Sequence, residues 1–347
     1  MTQQEHNQKI EQSMLEKLKP MELAPLPENP LVSVLIANYN YGQYIGEAIE
    51  SVLNQTYPHF EIIVCDDGST DDSVQVIQSY VKRAPCVHLI VKENGGVASA
   101  LNTAFFASRG DLIALLDADD IWLPHRLQEV VKAFNASPVP GLVVHPLRVT
   151  KLETGRIVKP RLPRKPDRGW LAPRLIAGDY CIFPPASGMT LHREVASRVF
   201  PLPETFRALA DGVLREHAAL LALVGVVDVV LGLYRQHASN VTGNRQQIET
   251  LVANSRVILS ARAELVKQVY GIEVDLALWE QKPRGVILRE LWLARYLLQG
   301  KRIPLLKAIQ FTRGKRQVVW FALRSCRYLG LSEHSDGGGK RRECSKR

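Results

Sequence analysis

The chain has 347 residues, 46% hydrophobic and 23% charged, which suffices for a sizeable core and is ordinary for a soluble globular protein. Its net charge of +9 is uneven: residues 282–347 hold 17 Lys/Arg against 4 Asp/Glu, and the remainder holds 27 against 31. The five cysteines, at 65, 86, 181, 326 and 344, form no CxxC pair, which argues against a zinc site and fits a reducing cytosol.

Residues 1–29 read as a polar extension, a helix followed by the Pro-punctuated linker PLPENP, with no apolar stretch of signal-peptide type. A regular alternation begins at Leu31. LVSVLIA reads as a strand, GQYIGEAIESVLNQ as a helix, FEIIVC as a strand and TDDSVQVIQSYVKR as a helix. VHLIVK, VASALNTAFFASR and DLIALL continue it as strand, helix and strand. PHRLQEVVKAFNAS is a helix with proline in its first turn, and GLVVHPLRV a fifth strand. Short apolar strands between helices of 10–14 residues predict an α/β fold with a mostly parallel sheet buried on both faces.

After residue 150 the rhythm breaks. KPRLPRKPDRGWLAPRL reads as an irregular loop, SGMTLHREVA as a further element and VGVVDVVLGLYRQH as a strand. The longest apolar run, AALLALVGVVDVVLGLY, has Asp228 near its centre and is short for a membrane span, so no integral membrane helix is expected. Residues 246–330 read as a basic helical region and 331–347 as a disordered tail, leaving 30–245 as the central domain.

In open parallel sheets, ligands bind at the carboxyl ends of the strands. Three strands here run into polar clusters: NYN (Asn38 to Asn40), DDGSTDDS from Asp66, and DADD from Asp117. A strand-to-helix turn needs one capping side chain; the adjacent carboxylates Asp66 and Asp67 exceed that need. In DADD, Asp117 and Asp119 stand two apart, so on an extended segment they point the same way. Such a pair suits Mg2+ or Mn2+, which are commonly held by one or two carboxylates together with substrate phosphates. Neither GxGxxG nor GxxxxGK[ST] follows the first strands, which counts against a Rossmann dehydrogenase and a P-loop NTPase.

Two stretches, VSVLIANYNYGQYIGEAIESVLNQTYPHFEIIVCDDGSTDDS and ENGGVASALNTAFFASRGDLIALLDADDIWLP, resemble the family 2 glycosyltransferases of GT-A fold, over roughly residues 31–240. The resemblance implies an inverting, metal-dependent transfer from a nucleotide-diphosphate sugar, a UDP-sugar first among donors, to a hydroxyl acceptor on a glycan or a lipid-linked carrier. By position it implies that Ala37 and Tyr39 flank the base and that Asp67, with Asp66 beside it, meets the uracil or ribose. Asn94 and Gly95 would shape a turn near the nucleotide. Asp117 and Asp119 would hold the diphosphate through the metal. The family often has arginine before the asparagine of its NGGxxxARN block, where this chain has Leu101.

An inverting transfer needs a general base beside the acceptor hydroxyl. PETFRALADGVLREHAAL offers Glu204, Asp211 and Glu216, and its AD pair resembles the family's base position, so Asp211 is the candidate. By the same resemblance Ser187 and Gly188 line the acceptor pocket. YRQHASN resembles the family's YRxHxxN, which makes His237 a candidate metal or diphosphate contact and Arg235 a candidate phosphate contact. Trp170, ending the PRLPRKPDRGW loop, is a candidate sugar-stacking platform. Residues 284–328 mix Trp, Phe and Leu with Arg and Lys, which suits either packing on the domain or docking on an anionic membrane surface. A peripheral protein at the cytoplasmic face is the corresponding expectation. No RRM, zinc or helix-turn-helix pattern supports nucleic acid as a partner. The competing readings are a metal-dependent nucleotidyltransferase and a non-catalytic nucleotide-sugar-binding module.

Overall fold

The computed structural model describes residues 18–151, 156–160, 166–179, 181–207, 210–237, 245–274 and 276. The basic segment 284–328, the tail 331–347 and residues 1–17 lie outside them.

Eleven strands are described: β1 (Val32–Asn38), β2 (Phe60–Asp66), β3 (Val87–Val91), β4 (Leu112–Leu115), β5 (Ile121–Trp122), β6 (Leu142–Val144), β7 (Leu147–Lys151), β8 (Arg156–Pro160), β9 (Met189–His192), β10 (Val224–Val226) and β11 (Gly232–Gln236). Between and after them stand α1 (Gly42–Leu53), α2 (Ser73–Arg83), α3 (Val97–Ala107), α4 (Arg126–Phe134), α5 (Ala172–Ile176), α6 (Arg193–Val199), α7 (Asp211–Leu221) and α8 (Arg245–Tyr270). A seven-stranded sheet has the order β10-β6-β9-β4-β1-β2-β3, and a four-stranded sheet has the order β5-β11-β7-β8. In the larger sheet β9 runs antiparallel to both its neighbours, and every other pairing is parallel.

Alternation along β1 explains the layering, because successive side chains leave opposite faces of a strand. Val32, Val34 and Ile36 enter one core with Ile45, Ile49 and Val52 of α1, Ile77 of α2 and Leu127, Val130 and Phe134 of α4. Leu35 enters the other, with Ala98, Leu101 and Phe105 of α3, Val213 and Leu214 of α7, and Ile258, Leu259 and Val266 of α8. Helices α1 and α4 bury residues at the i, i+3, i+4, i+7 spacing of an amphipathic helix. Each core side chain of this size contributes about 1.5–3 kcal/mol by leaving water.

Two segments predicted as single strands are each divided between the sheets. GLVVHPLRV gives β6 in the large sheet and β7 in the small one. The break falls at His145–Pro146, where the His145 N–H donates to Gly188 O at 3.0 Å and Pro146 has no N–H to donate. VGVVDVVLGLYRQH likewise gives β10 and β11. The smaller sheet thereby folds the 232–237 segment across the loop after β4, since Gly232 pairs with Trp122. Among the described residues no helix is long and apolar enough to cross a membrane.

The ends of the predicted central domain are joined to what flanks them. The Met21 N–H donates to Leu221 O at 2.8 Å, and Leu18, Met21 and Leu23 pack on the α3/α7 core. Helix α8 is part of that same core rather than of a separate region.

Candidate active site

Strands β4, β1 and β2 are neighbours in the sheet, so the three polar clusters leave one rim side by side. Asn38 pairs in register with Asp66. The two loops interlock through side chains: Asn38 Nδ2 donates to Asp66 Oδ2 at 2.7 Å, and Asn40 Oδ1 accepts from the Thr70 N–H at 2.7 Å. Asp66 is consumed by this turn, since it also accepts from the Ser69 hydroxyl at 2.6 Å and the Ser69 N–H at 2.9 Å. Gly68, at φ 78°, permits the tight reversal. The Asp66 carboxylate, expected beside the nucleotide, is fully buried and builds the loop.

Asp67 points elsewhere. Its Oδ1 accepts from Gly95 N at 2.9 Å and Lys92 Nζ at 3.0 Å, and its Oδ2 from Gly96 N at 2.7 Å. The turn it holds opens α3. Gly96 has φ 92°, and a Cβ there would stand 2.6 Å from Arg207 Cα, so no other residue fits. The first N–H groups of α3 are also used: Val97 N donates to Arg207 O and Ala98 N to Phe206 O, both at 3.2 Å. Asn102 clasps the same passing segment, donating to Leu202 O at 2.9 Å and accepting from Leu202 N at 2.7 Å. Asn94 accepts from the Arg207 guanidinium. Leu101, in the place of the family's arginine, is 6% exposed and belongs to the core. The segment fastened here leads directly into Asp211, the first residue of α7, whose carboxylate accepts from Arg215 Nη1 at 3.2 Å.

The DADD loop divides its carboxylates by environment. Asp120 is fully buried; it accepts from Ser187 Oγ at 2.6 Å and from Arg235 N at 3.0 Å. Burial, then the neighbouring Asp119 charge, push its carboxyl above the usual carboxylate range. Asp119 instead faces His237, with Oδ2 2.9 Å from Nε2. The imidazole lies against Tyr44, with ring centroids 4.3 Å apart, and edge-on to Tyr41. Burial, followed by the charges of Asp119 and Asp117, raises the Tyr41 hydroxyl, so it stays protonated beside them. Asp117 is half-buried and its N–H donates to Ser187 Oγ at 3.0 Å.

Other expected site residues have these surroundings. Ser187 and Gly188, expected to line an acceptor pocket, are both buried, and the Ser187 hydroxyl is committed at once to Asp120 and Asp117. Arg235, a candidate phosphate contact, has a buried guanidinium that donates to Asp119 O, to Glu47 Oε2 at 2.5 Å and to Tyr44 O at 3.3 Å, bracing the loop from behind. Trp170 is not brought to the rim. The preceding Gly169 pairs with Val224 at the amino end of β10, and the indole packs on the core. Ala37 lies near the carboxyl end of β1, and the exposed Tyr39 follows the strand.

Sequence reasoning missed Arg126, whose buried guanidinium stacks on Trp122 at 3.7 Å and donates to Thr190 Oγ1 at 2.7 Å. Trp122 Nε1 in turn donates to Ser187 O at 2.9 Å. The tryptophan that closes DADDIW thus backs the loop, and nothing in the polar surroundings of Arg126 in sequence, between His125 and Gln128, marks it as buried.

The donor set suits a hard divalent cation: two carboxylates and an imidazole, without thiolates. Among the described residues no three His, Cys, Asp or Glu side chains converge enough to hold an ion unaided. Mg2+ and Mn2+ are commonly held by one or two carboxylates together with substrate phosphates.

Residues 33–200 match the glycosyl transferase family 2 profile. An uncharacterized glycosyltransferase of Nostoc sp. is 34% identical over 292 residues, 78% of this chain and 88% of its own length. The chain belongs to glycosyltransferase family 2. Chondroitin synthase of Escherichia coli is 40% identical to this family 2 chain over 119 residues, 34% of the chain and 17% of that much longer protein. A mannosyltransferase from Pyrobaculum calidifontis, solved with GDP-mannose and Mn2+, shares the fold at TM-score 0.53 and 18% identity, covering 92% of this chain and 91% of that one. The protein is therefore a transferase of GT-A fold, and the competing nucleotidyltransferase and binding-module readings fall away.

Proposed function

We propose that this glycosyltransferase moves a sugar, with inversion, from a nucleotide-diphosphate donor to a hydroxyl of a glycan or lipid-linked acceptor in envelope or extracellular polysaccharide assembly. A UDP-sugar is the first candidate donor. The observation that carries the reading is the convergence at one rim of Asp67, the Asp119–His237 pair and the segment leading into Asp211.

In this reading Ala37 and Tyr39 flank the nucleobase, and Asp67 accepts from it with the acceptor capacity its three present bonds leave. The Asn94–Gly95 turn borders the same pocket. Asp117, Asp119 and His237 would hold Mg2+ or Mn2+, which supplies positive charge to the departing diphosphate. Asp211 takes the proton of the acceptor hydroxyl as its oxygen forms the new bond to the anomeric carbon. The bond from that carbon to the diphosphate oxygen breaks on the opposite face, and the nucleoside diphosphate leaves with the electron pair. The polysaccharide setting is supported by the kinship with chondroitin synthase. A peripheral position at the cytoplasmic membrane face would rest on residues 284–328, whose basic and aromatic content is suited to anionic lipid.

The test is thermal unfolding with UDP, GDP and dTDP, each with and without Mn2+, followed by a released-nucleotide screen of the matching sugars. A ligand at about a hundred times its Kd stabilises by about 2.7 kcal/mol. A shift that requires both one nucleotide and Mn2+ supports the reading; none with any pair ends it.

A further inference from the structure

Helix α7 is gripped along one side by α8. Gly212 and Glu216 of α7, four residues apart, lie on one stripe of the helix, and Asp211 and Arg215 lie on the adjacent stripe, about 100° round. Two residues of α8, also four apart, meet the first stripe. A Cβ at Gly212 would stand 2.7 Å from Ile258 Cδ1. Arg262 places Nε 2.9 Å and Nη2 2.8 Å from Glu216 Oε2. Its Nη1 donates to Leu175 O of α5 at 3.1 Å, which ties the pair to a third helix. Arg262 and Glu216 are 0% and 4% exposed, so this is a charge pair taken wholly out of water. Further along, the Tyr270 hydroxyl donates to Leu220 O.

A buried ion pair is a weak source of stability, because desolvation offsets the attraction; its better attested use is to select one register. We propose that Arg262 is a positioning residue for the transfer: by pairing with Glu216 it fixes the rotation of α7 and so the direction in which Asp211 leaves it. The proposal rests on the reading of Asp211 as the base. It assigns a catalytic consequence to a helix that lies beyond the family match, which ends at residue 200. The lever is short. A side-chain tip lies about 5–6 Å from a helix axis, so a rotation of about 10° carries it about 1 Å. A misplacement of about 1 Å at a reacting group costs about a hundredfold in rate.

The experiment compares Arg262→Met, Arg262→Lys and the double variant Glu216→Gln/Arg262→Met in the full chain. Turnover is followed as nucleotide release from the donor selected above, binding as the Kd of UDP, or of GDP if that is the responder, with Mn2+, and folding as thermal unfolding. The expected result is a fall in kcat of about ten- to a hundredfold in Arg262→Met and the double variant, with partial recovery in Arg262→Lys and nucleotide Kd within about twofold. If Arg262→Met does not fold, the double variant decides, since it leaves no unpaired charge. Wild-type kcat in a folded variant overturns the proposal, and so does a loss of kcat matched by an equal loss of nucleotide affinity. Asp211→Asn is measured alongside. If it keeps wild-type turnover, the base reading falls and takes this proposal with it; if it is inactive while the Arg262 variants run at wild-type rate, only this proposal falls.

Discussion

His237 Nε2 stands 2.9 Å from Asp119 Oδ2, although 118 residues separate them in the chain. The contact exists because β11 pairs with β5 and so returns over the DADD loop. If the two side chains share a cation with the donor diphosphate, Asp119→Ala removes the Mn2+-dependent part of the thermal shift given by the nucleotide. His237→Ala weakens it, and both leave the metal-free melting temperature within a few degrees of wild type. A full Mn2+-dependent shift in Asp119→Ala would refute the assignment.

Ser187 joins Asp120 to the N–H of Asp117 through one hydroxyl. Ser187→Ala leaves a buried carboxylate short of a donor, which costs about 1–3 kcal/mol. The loop carrying Asp117 and Asp119 loses its anchor in the same stroke. Both the urea midpoint and the affinity for Mn2+-nucleotide are expected to fall, whereas Ser187→Thr, which keeps the hydroxyl, recovers part of each. Binding that is unchanged in a destabilised Ser187→Ala would show the hydroxyl to be structural only.

Asn102 satisfies both backbone groups of Leu202, as a paired strand would. Asn102→Leu strips two bonds from the segment that leads to Asp211. Net hydrogen bonds of this kind contribute about 0.5–1.5 kcal/mol each. The expected outcome is a protein that binds Mn2+-nucleotide normally, turns over more slowly and is cleaved faster by limited proteolysis between residues 202 and 210. Wild-type kcat would sever Asn102 from the site.

Two buried histidines set an acid limit. Burial, then the Arg126 charge, lowers His145 to about 3, and burial lowers His217 to about 4, both from 6.5. A histidine depressed in the folded state binds its proton more readily when unfolded, so stability is full above pH 6.5 and falls as the pH drops towards the folded values. At pH 5 each contributes a loss of about 2 kcal/mol. Urea midpoints between pH 7.5 and 5 should fall less steeply in His217→Asn than in wild type; parallel slopes would exclude His217 as a source.

Much of this arrangement is legible in the chain. Val32, Val34 and Ile36 alternate with Leu35 as a strand buried on both faces must, and DDGST and DADD announce a rim from the sequence alone. What is illegible depends on partners distant in sequence. Nothing local in GLVVHPLRV says that β9, from residue 189, claims its first half while β11, from residue 232, claims its second. The same holds for the acidic pairs. Asp66 and Asp67 are adjacent and chemically identical, and only the positions of Asn38 and Gly96 make one a turn-builder and the other a rim acceptor. The burial of Ser187 and the core packing of Trp170 are illegible for the same reason, since a polar or aromatic residue in a loop carries no mark of which way it faces.

The amino end of α3 carries a further implication. A helix start is ordinarily a place where phosphate gathers, because its free N–H groups and axial dipole favour negative charge. Here the Arg207 and Phe206 carbonyls accept from the Val97 and Ala98 N–H groups respectively, and the Asp67 carboxylate accepts from the Gly96 N–H. That electropositive seat is already taken by the protein's own oxygen atoms, so an anion arriving at the rim would have to find its counter-charge somewhere other than the start of this helix.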